Sequence, residues 1–298
     1  MKLFNPVLKK TNNVFEGWYI RVLDETQDIN YAFIFAKTHY EKDEHAFIQL
    51  FDGVKKTNTY LRFPIESYQF KDGTVHIASN TLSVDKLIIN HPTLRVDLTI
   101  DSHDIQNFKS AMGPLKILPL ECYQDVVYMH ALVHGRLIVN QTIKDISGTS
   151  YMEKTYGRRF PKRWFWLQSH TFKDHKTLRM SLAGGSMPTL KWSKFGFFLI
   201  IHYEQKRYRF ATYNLAKIKI KETMDAVIFT ITKGRYEIIL KARQTKTTKL
   251  LGPADYGDMI LDVFESINAS IELTFKENGK TLISDQTNQA GFEWMYKH

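Results

Sequence analysis

Between Ser150 and Phe172 the chain reads SYMEKTYGRRFPKRWFWLQSHTF. This one segment holds Glu153 beside Lys154, a glycine turn, a basic loop ending at Pro161, and two tryptophans. Buried charge requires a partner, so such mixing reads as charged groups brought to the mouth of an aromatic-walled pocket. Two further acids sit among aromatics: Glu16, between Phe15 and Gly17-Trp18-Tyr19, and Glu121, beside Tyr123. A carboxyl in apolar surroundings can keep its proton near neutral pH and act as a general acid. Glu153, Glu16 and Glu121 are therefore the candidate acids. The competing reading has them in salt bridges at strand ends with Arg158, Arg159 or Arg163. Lys154 would hold a neighbouring carboxylate ionised, but consecutive strand residues point to opposite faces.

Trp164, Trp166 and Gln168 would share one face of a strand and Phe165 and Leu167 the other, so one set packs a core. A buried amide such as Gln168 needs a ligand oxygen or a backbone group, which favours its face as the pocket side. With Trp18 these residues are the expected pocket walls. His130 and His134 share a face but lack a third ligand nearby. No C-x-x-C, H-E-x-x-H or paired-carboxylate metal pattern exists, so no metal is expected, and His130 is kept as a proton donor or an orienting group. Gly-x-Ser-x-Gly and phosphate-binding glycine loops are missing, which disfavours serine hydrolases and nucleotide enzymes.

Period-2 alternation dominates the chain and long helical periodicity is scarce, so the expected fold class is all-β. Strands are predicted over Trp18–Leu23, Tyr31–Thr38, Ala46–Phe51, Leu94–Ile100, Ala131–Val139, Trp164–His170, Leu178–Ala183, Phe197–Tyr203, Ala226–Thr232, Tyr236–Ala242, Met259–Phe264 and Ser270–Phe275. Asp52-Gly53, Asp72-Gly73, Lys233-Gly234 and Asn278-Gly279 signal turns. Gly184-Gly185 is expected to mark a bulge or turn. A weak internal repeat sets Gly17-Trp18-Tyr19 and its following strands against Trp164-Phe165-Trp166 and its own. This predicts two tandem antiparallel barrel or sandwich units, 1–148 and 149–298. Barrels of about eight strands enclose hydrophobic ligands.

The chain has 298 residues, 43% hydrophobic and 24% charged, as in folded globular proteins. Its single cysteine, Cys122, excludes an internal disulfide framework and fits a reducing compartment. Phe195–Ile201, the strongest apolar run, is far below the roughly 20 residues that span a bilayer. With no signal-peptide pattern, a cytoplasmic location is expected. The +10 net charge is lopsided: from Tyr151 onward there are 25 Lys+Arg against 14 Asp+Glu. A basic half can meet nucleic acid or anionic membrane, but alternating Lys217, Lys219 and Lys221 read as the wet face of a strand. No zinc-finger, RRM or helix-turn-helix pattern supports nucleic acid. Peripheral contact with an anionic membrane stays open.

Six segments occur in matching order: FEGWYIRV (Phe15–Val22), MGPLKILPLECY (Met112–Tyr123), YMEKTYGRRFPKRWFWLQ (Tyr151–Gln168), MSLAGG (Met180–Gly185), HYEQKRYRF (His202–Phe210) and AGFEW (Ala290–Trp294). Together they resemble the tocopherol cyclase family. The resemblance implies a pair of lipocalin-like β units with a pocket between or within them, related in fold to carotenoid hydratases and some pericyclases. Plant members close the phenolic hydroxyl of a prenylated quinol onto a side-chain double bond. Where the family has E-K-N-W-G or E-K-D-W-G, this chain has Glu153-Lys154-Thr155-Tyr156-Gly157. Where bacterial relatives show E-C-Y-H, it has Glu121-Cys122-Tyr123-Gln124.

Such a ring closure protonates an alkene and lets a phenol oxygen capture the tertiary cation. It needs an acid, a water-free cavity, and aromatic faces that soften the charge by about 0.5–2 kcal/mol each. It needs no cofactor. The expected catalytic set is Glu153, Glu16, Glu121, His130 and Lys154. The expected ligand contacts are Trp18, Tyr19, Tyr123, Tyr156, Trp164, Trp166, Gln168 and Glu293. The first reading is thus an acid-catalysed cyclase, isomerase or hydratase acting on a prenylated phenol, quinol or isoprenoid. A non-catalytic carrier of a lipophilic small molecule is the alternative.

Overall fold

The computed structural model describes residues 3–8, 13–101, 110–139, 141–187 and 195–296. The described chain is built almost wholly from antiparallel strands with short 3-10 turns between them. The first sheet contains β1 (Phe15–Asp24), β2 (Ile29–Thr38), β3 (His45–Asp52), β4 (Thr57–Pro64), β5 (Tyr68–Lys71), β6 (Thr74–Ile77), β7 (Asn80–Leu82), β8 (Lys86–His91), β9 (Leu94–Asp101), β10 (Cys122–Val139) and β11 (Thr142–Gly157). The second contains β12 (Trp164–Ser169), β13 (Arg179–Ser186), β14 (Phe195–Tyr203), β15 (Lys206–Ala211), β16 (Lys217–Glu222), β17 (Val227–Lys233), β18 (Tyr236–Arg243), β19 (Thr248–Gly252), β20 (Leu261–Glu277) and β21 (Lys280–Met295).

The spatial order is β4-β3-β2-β1-β11-β10-β9-β8-β7-β6-β5 in the first sheet and β15-β14-β13-β12-β21-β20-β18-β17-β16 in the second, with β19 beside β20. Each therefore starts with a four-strand meander whose first strand pairs with the last strand of a long hairpin. Each is a nearly closed, barrel-like sheet, and the two form tandem lipocalin-like units. Contacts divide the chain into Met1–Met112, Leu120–Phe160 and Leu250–Asp262 as one compact unit, and Gly113–Pro119, Pro161–Lys249 and Val263–His298 as the other. β11 runs straight through the position between residues 148 and 149. Gln49 ties the 250s segment into the first unit, accepting from the Leu251 amide at 3.0 Å and donating to its carbonyl at 2.7 Å.

Alternation decides which side chains turn inward. On β1 the inner row is Glu16, Trp18, Ile20 and Val22, and on β2 it is Tyr31, Phe33, Phe35 and Lys37. The register sets Trp18 opposite Phe35 and Ile20 opposite Phe33, and all four are buried in the core of the first sheet. Each such burial contributes about 1.5–3 kcal/mol. In the second sheet Phe165 and Leu167 of β12 face a core with Leu182, Leu199, Phe229 and Phe275. No helix among the described residues is long and apolar enough to cross a membrane.

The Asp72-Gly73 and Asn278-Gly279 turns have positive φ at both residues, the geometry of a tight hairpin. Gly184-Gly185 instead lies inside β13. A Cβ on Gly184 would come within 2.6 Å of the Phe165 ring, so that glycine serves close packing rather than a turn. Met259–Phe264 and Ser270–Phe275 prove to be parts of the single strand β20 or its approach.

Candidate active site

The inner face of the first sheet is largely apolar, and at one end β1, β2, β10 and β11 bring charged groups together. Glu16 lies opposite Lys37 on β2 and opposite Tyr156 on β11, with Lys154 one inward position further along. Asp125 of β10 is the register partner of Lys154. Glu16, Asp125 and Lys154 are completely buried, and Lys37 nearly so. Two carboxyls and two amines thus meet inside an apolar sheet, the balance that buried charge demands.

Glu16 Oε1 accepts a hydrogen bond from the Val7 amide at 2.8 Å and lies 3.5 Å from Lys154 Nζ. Glu16 Oε2 lies 4.0 Å from Lys37 Nζ and is buried with no hydrogen-bond partner among the described residues. Lys154 Nζ donates to the Asn5 carbonyl at 2.5 Å and stands 5.0 Å over the Tyr156 ring. Lys37 Nζ stands 4.5 Å over the Tyr68 ring. The Tyr68 hydroxyl is likewise buried without a hydrogen-bond partner among the described residues. Trp18 stacks on Tyr68 with centroids 6.5 Å apart, and its indole donates to the Phe4 carbonyl at 2.7 Å.

Burial pushes Lys37 below the ordinary lysine value, and attraction to Glu16 restores only part of the shift. Losing water outweighs one partner 4.0 Å away, so Lys37 is a stronger acid than a surface lysine. Burial raises Tyr68, helped by Glu16, and raises Tyr156, helped by Asp125 and Glu16. Both stay neutral hydroxyls over the physiological range.

Of the expected residues, the structure brings Glu16, Trp18, Lys154, Tyr156 and Tyr123 to this end of the sheet. Tyr123 stacks on Tyr156 at 5.2 Å. Glu153 points to the other side of β11, where Gln124 Nε2 and the Tyr151 hydroxyl donate to its two oxygens at 2.8 and 2.5 Å. Tyr19 is on that side too, as its register partner Glu153 requires. Glu121 forms a strand-end ion pair with Arg159, which also binds Asp255 at 2.5 Å. His130 is half-buried at a register shift in β10. At the two departures from the family pattern, Tyr156 lines the inner cluster and Gln124 anchors Glu153.

Trp164, Trp166, Gln168 and Glu293 all belong to the second unit. Trp164, Trp166 and Gln168 turn away from its core, because Phe165 and Leu167 take the inward face. The Trp164 indole donates to Glu293 Oε2 at 2.7 Å, and Gln168 pairs with His170 at 3.0 Å. The next residue, Trp294, faces inward and lines a groove of about 680 Å³ with Phe195, Phe197, Tyr296, Ile218 and Ile220. Its indole nitrogen is buried with no partner among the described residues. Among those residues, no group of three His, Cys, Asp or Glu side chains is placed to hold a metal ion.

Lys37, Tyr68, Asp125 and Trp294 were not foreseen from sequence. For Lys37 a signal existed: it ends the inward row Phe33-Phe35-Lys37, where a charge needs a purpose. Tyr68 comes from the four-residue strand YQFK, whose alternation sets Tyr68 and Phe70 on one face but is too short to show that this face is the inner one.

Solved structures share the fold at low identity. A protein assigned as AttH from Nitrosomonas europaea aligns with TM-score 0.59 and 12% identity, covering 95% of this chain and 92% of its own. Kievitone hydratase from Nectria haematococca aligns with TM-score 0.52 and 10% identity, covering 96% and 90%. CghA, solved with Sch210972, aligns with TM-score 0.60 and 11% identity, covering 95% and 89%. No curated protein matches the sequence. The tocopherol cyclase-like family profile matches residues 100–294, well over half of the sequence, and the chain belongs to that family.

Proposed function

We propose that this protein performs acid–base chemistry of the cyclase, isomerase or hydratase type on a prenylated phenol, quinol or other oxygen-bearing isoprenoid, on the inner face of the first sheet. One observation carries the reading: the fully buried Glu16 presents a carboxyl oxygen without a hydrogen-bond partner toward aromatic rings and a weakened ammonium. Buried polar atoms are almost always partnered, and an exception of this kind suits a group that meets its partner on the substrate.

In a ring closure, Glu16 Oε2 takes the proton of the substrate hydroxyl while Lys37 gives a proton to the less substituted alkene carbon. The π bond breaks, and the oxygen forms a bond to the more substituted carbon. The proton on Glu16 then returns to Lys37, which restores both groups. Hydration follows the same proton path with water as the nucleophile. Trp18 and Tyr68 offer ring faces to the developing cation. Sequence alone suggested a carboxyl as the acid; this geometry favours the Lys37 ammonium as donor and Glu16 as acceptor.

The test is turnover of a panel of prenylated hydroquinones by the full chain, followed by mass spectrometry. Glu16→Gln and Lys37→Met should each lose about 100-fold or more, the usual worth of one positioned proton-transfer group. Glu153→Gln and Glu121→Gln should stay within a few-fold of the parent. Full activity in Glu16→Gln defeats the assignment.

The aromatic groove of the second unit favours a second reading, carriage of a lipophilic molecule that accepts a hydrogen bond from Trp294. Copurified ligand identified by mass spectrometry and lost in Trp294→Phe would support it.

A further inference from the structure

Part of the chain itself already occupies the inner end of the first sheet. Phe4 lies outside any helix or strand yet is only 1% exposed. Its ring packs 5.7 Å from Trp18 and 6.4 Å from Phe70. Three backbone groups of the same short stretch complete buried side chains. The Phe4 carbonyl accepts from Trp18 Nε1 at 2.7 Å, the Asn5 carbonyl accepts from Lys154 Nζ at 2.5 Å, and the Val7 amide donates to Glu16 Oε1 at 2.8 Å. Asn5 and Val7 are otherwise exposed, so one ring and three hydrogen bonds are the described anchors.

We propose that Phe4–Val7 occupies the ligand site as a stand-in, and that the ligand displacing it is a hydroxylated aromatic with a second oxygen acceptor. This rests on the reading that the Glu16 cluster binds substrate. The ring of such a ligand replaces Phe4, its acceptor oxygens replace the Phe4 and Asn5 carbonyls, and its hydroxyl replaces the Val7 amide. Withdrawing the segment takes the hydrogen bond from the buried Trp18 indole N–H, one donor from Glu16 Oε1 and one acceptor from the Lys154 ammonium. The last two keep each other at 3.5 Å, but a buried polar group that loses a hydrogen bond bears a desolvation cost. A pure hydrocarbon cannot repair that loss; an oxygenated arene can.

The stand-in is also an incomplete fit. With it in place, Glu16 Oε2 and the Tyr68 hydroxyl remain without a hydrogen-bond partner among the described residues. A ligand whose hydroxyl reaches either atom gains an interaction that the segment does not make. The segment therefore selects for oxygenated rings and keeps the cluster dry until one arrives.

The test uses para-hydroxyacetophenone as the probe, with acetophenone as the control lacking the hydroxyl. Calorimetric titration is run on the full chain and on Phe4→Gly. Because an occupied site lowers apparent affinity by the fraction that is open, Phe4→Gly should bind the probe about tenfold tighter, with a smaller gain for acetophenone. In the parent protein, saturating probe should accelerate hydrogen exchange at the Val7 amide, measured by NMR. Equal affinity in both proteins, or no binding by either, overturns the proposal. If Phe4→Gly fails to fold, the exchange experiment decides alone, and a Val7 amide still protected at saturating probe overturns it. Tight binding by Phe4→Gly together with full turnover in Glu16→Gln would keep the stand-in and reject the reaction.

Discussion

Lys37 and Lys154 approach one carboxyl from different strands, but they are held differently. Lys154 is fixed by the Asn5 carbonyl and two aromatic faces, whereas Lys37 lies over Tyr68 at the far oxygen of Glu16. Burial places Lys37 below its ordinary value of 10.5, and a donor must be protonated to act. Activity should therefore fall as pH rises through the lowered value, earlier than an exposed lysine would allow. In a profile of kcat/KM against pH, Lys37→Arg should push this alkaline limb out of range while keeping some turnover. An unchanged limb in that variant would remove Lys37 from the proton path. At this scale the sequence revealed the residue types but not their partners. Glu16 among aromatics was visible as a candidate; its pairing with Lys37 depends on strand register, which is a tertiary fact. Glu153 and Lys154 show the same limit, since adjacency in sequence puts them on opposite faces and only the fold decides which face is inside.

Strands β10 and β11 supply Tyr123, Asp125, Lys154 and Tyr156 to the site, and β10 runs too close to its neighbour β9 at one point to admit a side chain. Gly135 of β10 has φ +144°, and a Cβ there would meet the Asp97 carbonyl oxygen at 2.1 Å. Gly234, at the β17–β18 turn, has φ +54° with nothing within 4 Å. Both demand a backbone that glycine adopts freely, but only the first adds a collision with a neighbouring strand. Gly135→Ala should cost about 3 kcal/mol or more, and Gly234→Ala about 1 kcal/mol, read from urea midpoints. Equal costs would mean that β9 and β10 can separate without penalty. The alternating strands were legible: β9, β17 and β18 follow the hydrophobic period closely, while β14 was legible as a continuous apolar run. β11 was not, because SGTSYMEKTYG mixes polar groups on both faces. Its inner row, Ser150, Met152, Lys154 and Tyr156, makes sense only beside Glu16 and Asp125. The duplication was faintly legible in the tryptophan motifs, and strand order gives it a firmer basis, since β1 pairs β11 just as β12 pairs β21.

For the molecule as a whole, each unit contains a buried titrating group, so acid should act on the two through different windows. In the first, His45 is buried with Nδ1 at 2.9 Å from the Asp43 carbonyl and Nε2 at 2.6 Å from the Tyr60 hydroxyl. Burial lowers it below 6.5; Asp43 and Asp258 pull it back in part, while Arg62 adds to the lowering. An unfolded chain takes up that proton first as pH falls, so the stability present above 6.5 is lost progressively below it. In the second unit, Asp285 accepts from the backbone amides of Asp174, His175 and Gln286 at 3.1, 2.7 and 2.7 Å. Burial alone would raise it, but these donors and the His175 ring outweigh that and hold it below 3.8. Its contribution is complete above 3.8 and is lost as pH falls through the lower folded value. Calorimetric melting from neutral pH to about pH 3 should thus show an early loss that His45→Gln flattens and a late one that Asp285→Asn flattens. The effects should add, because the residues lie in separate units and share no partner. A His45→Gln profile that still falls just below 6.5 would show that another group drives the early loss, while an Asp285→Asn profile as steep as the parent's would show that the clamp between the β12–β13 loop and β21 contributes nothing to acid resistance.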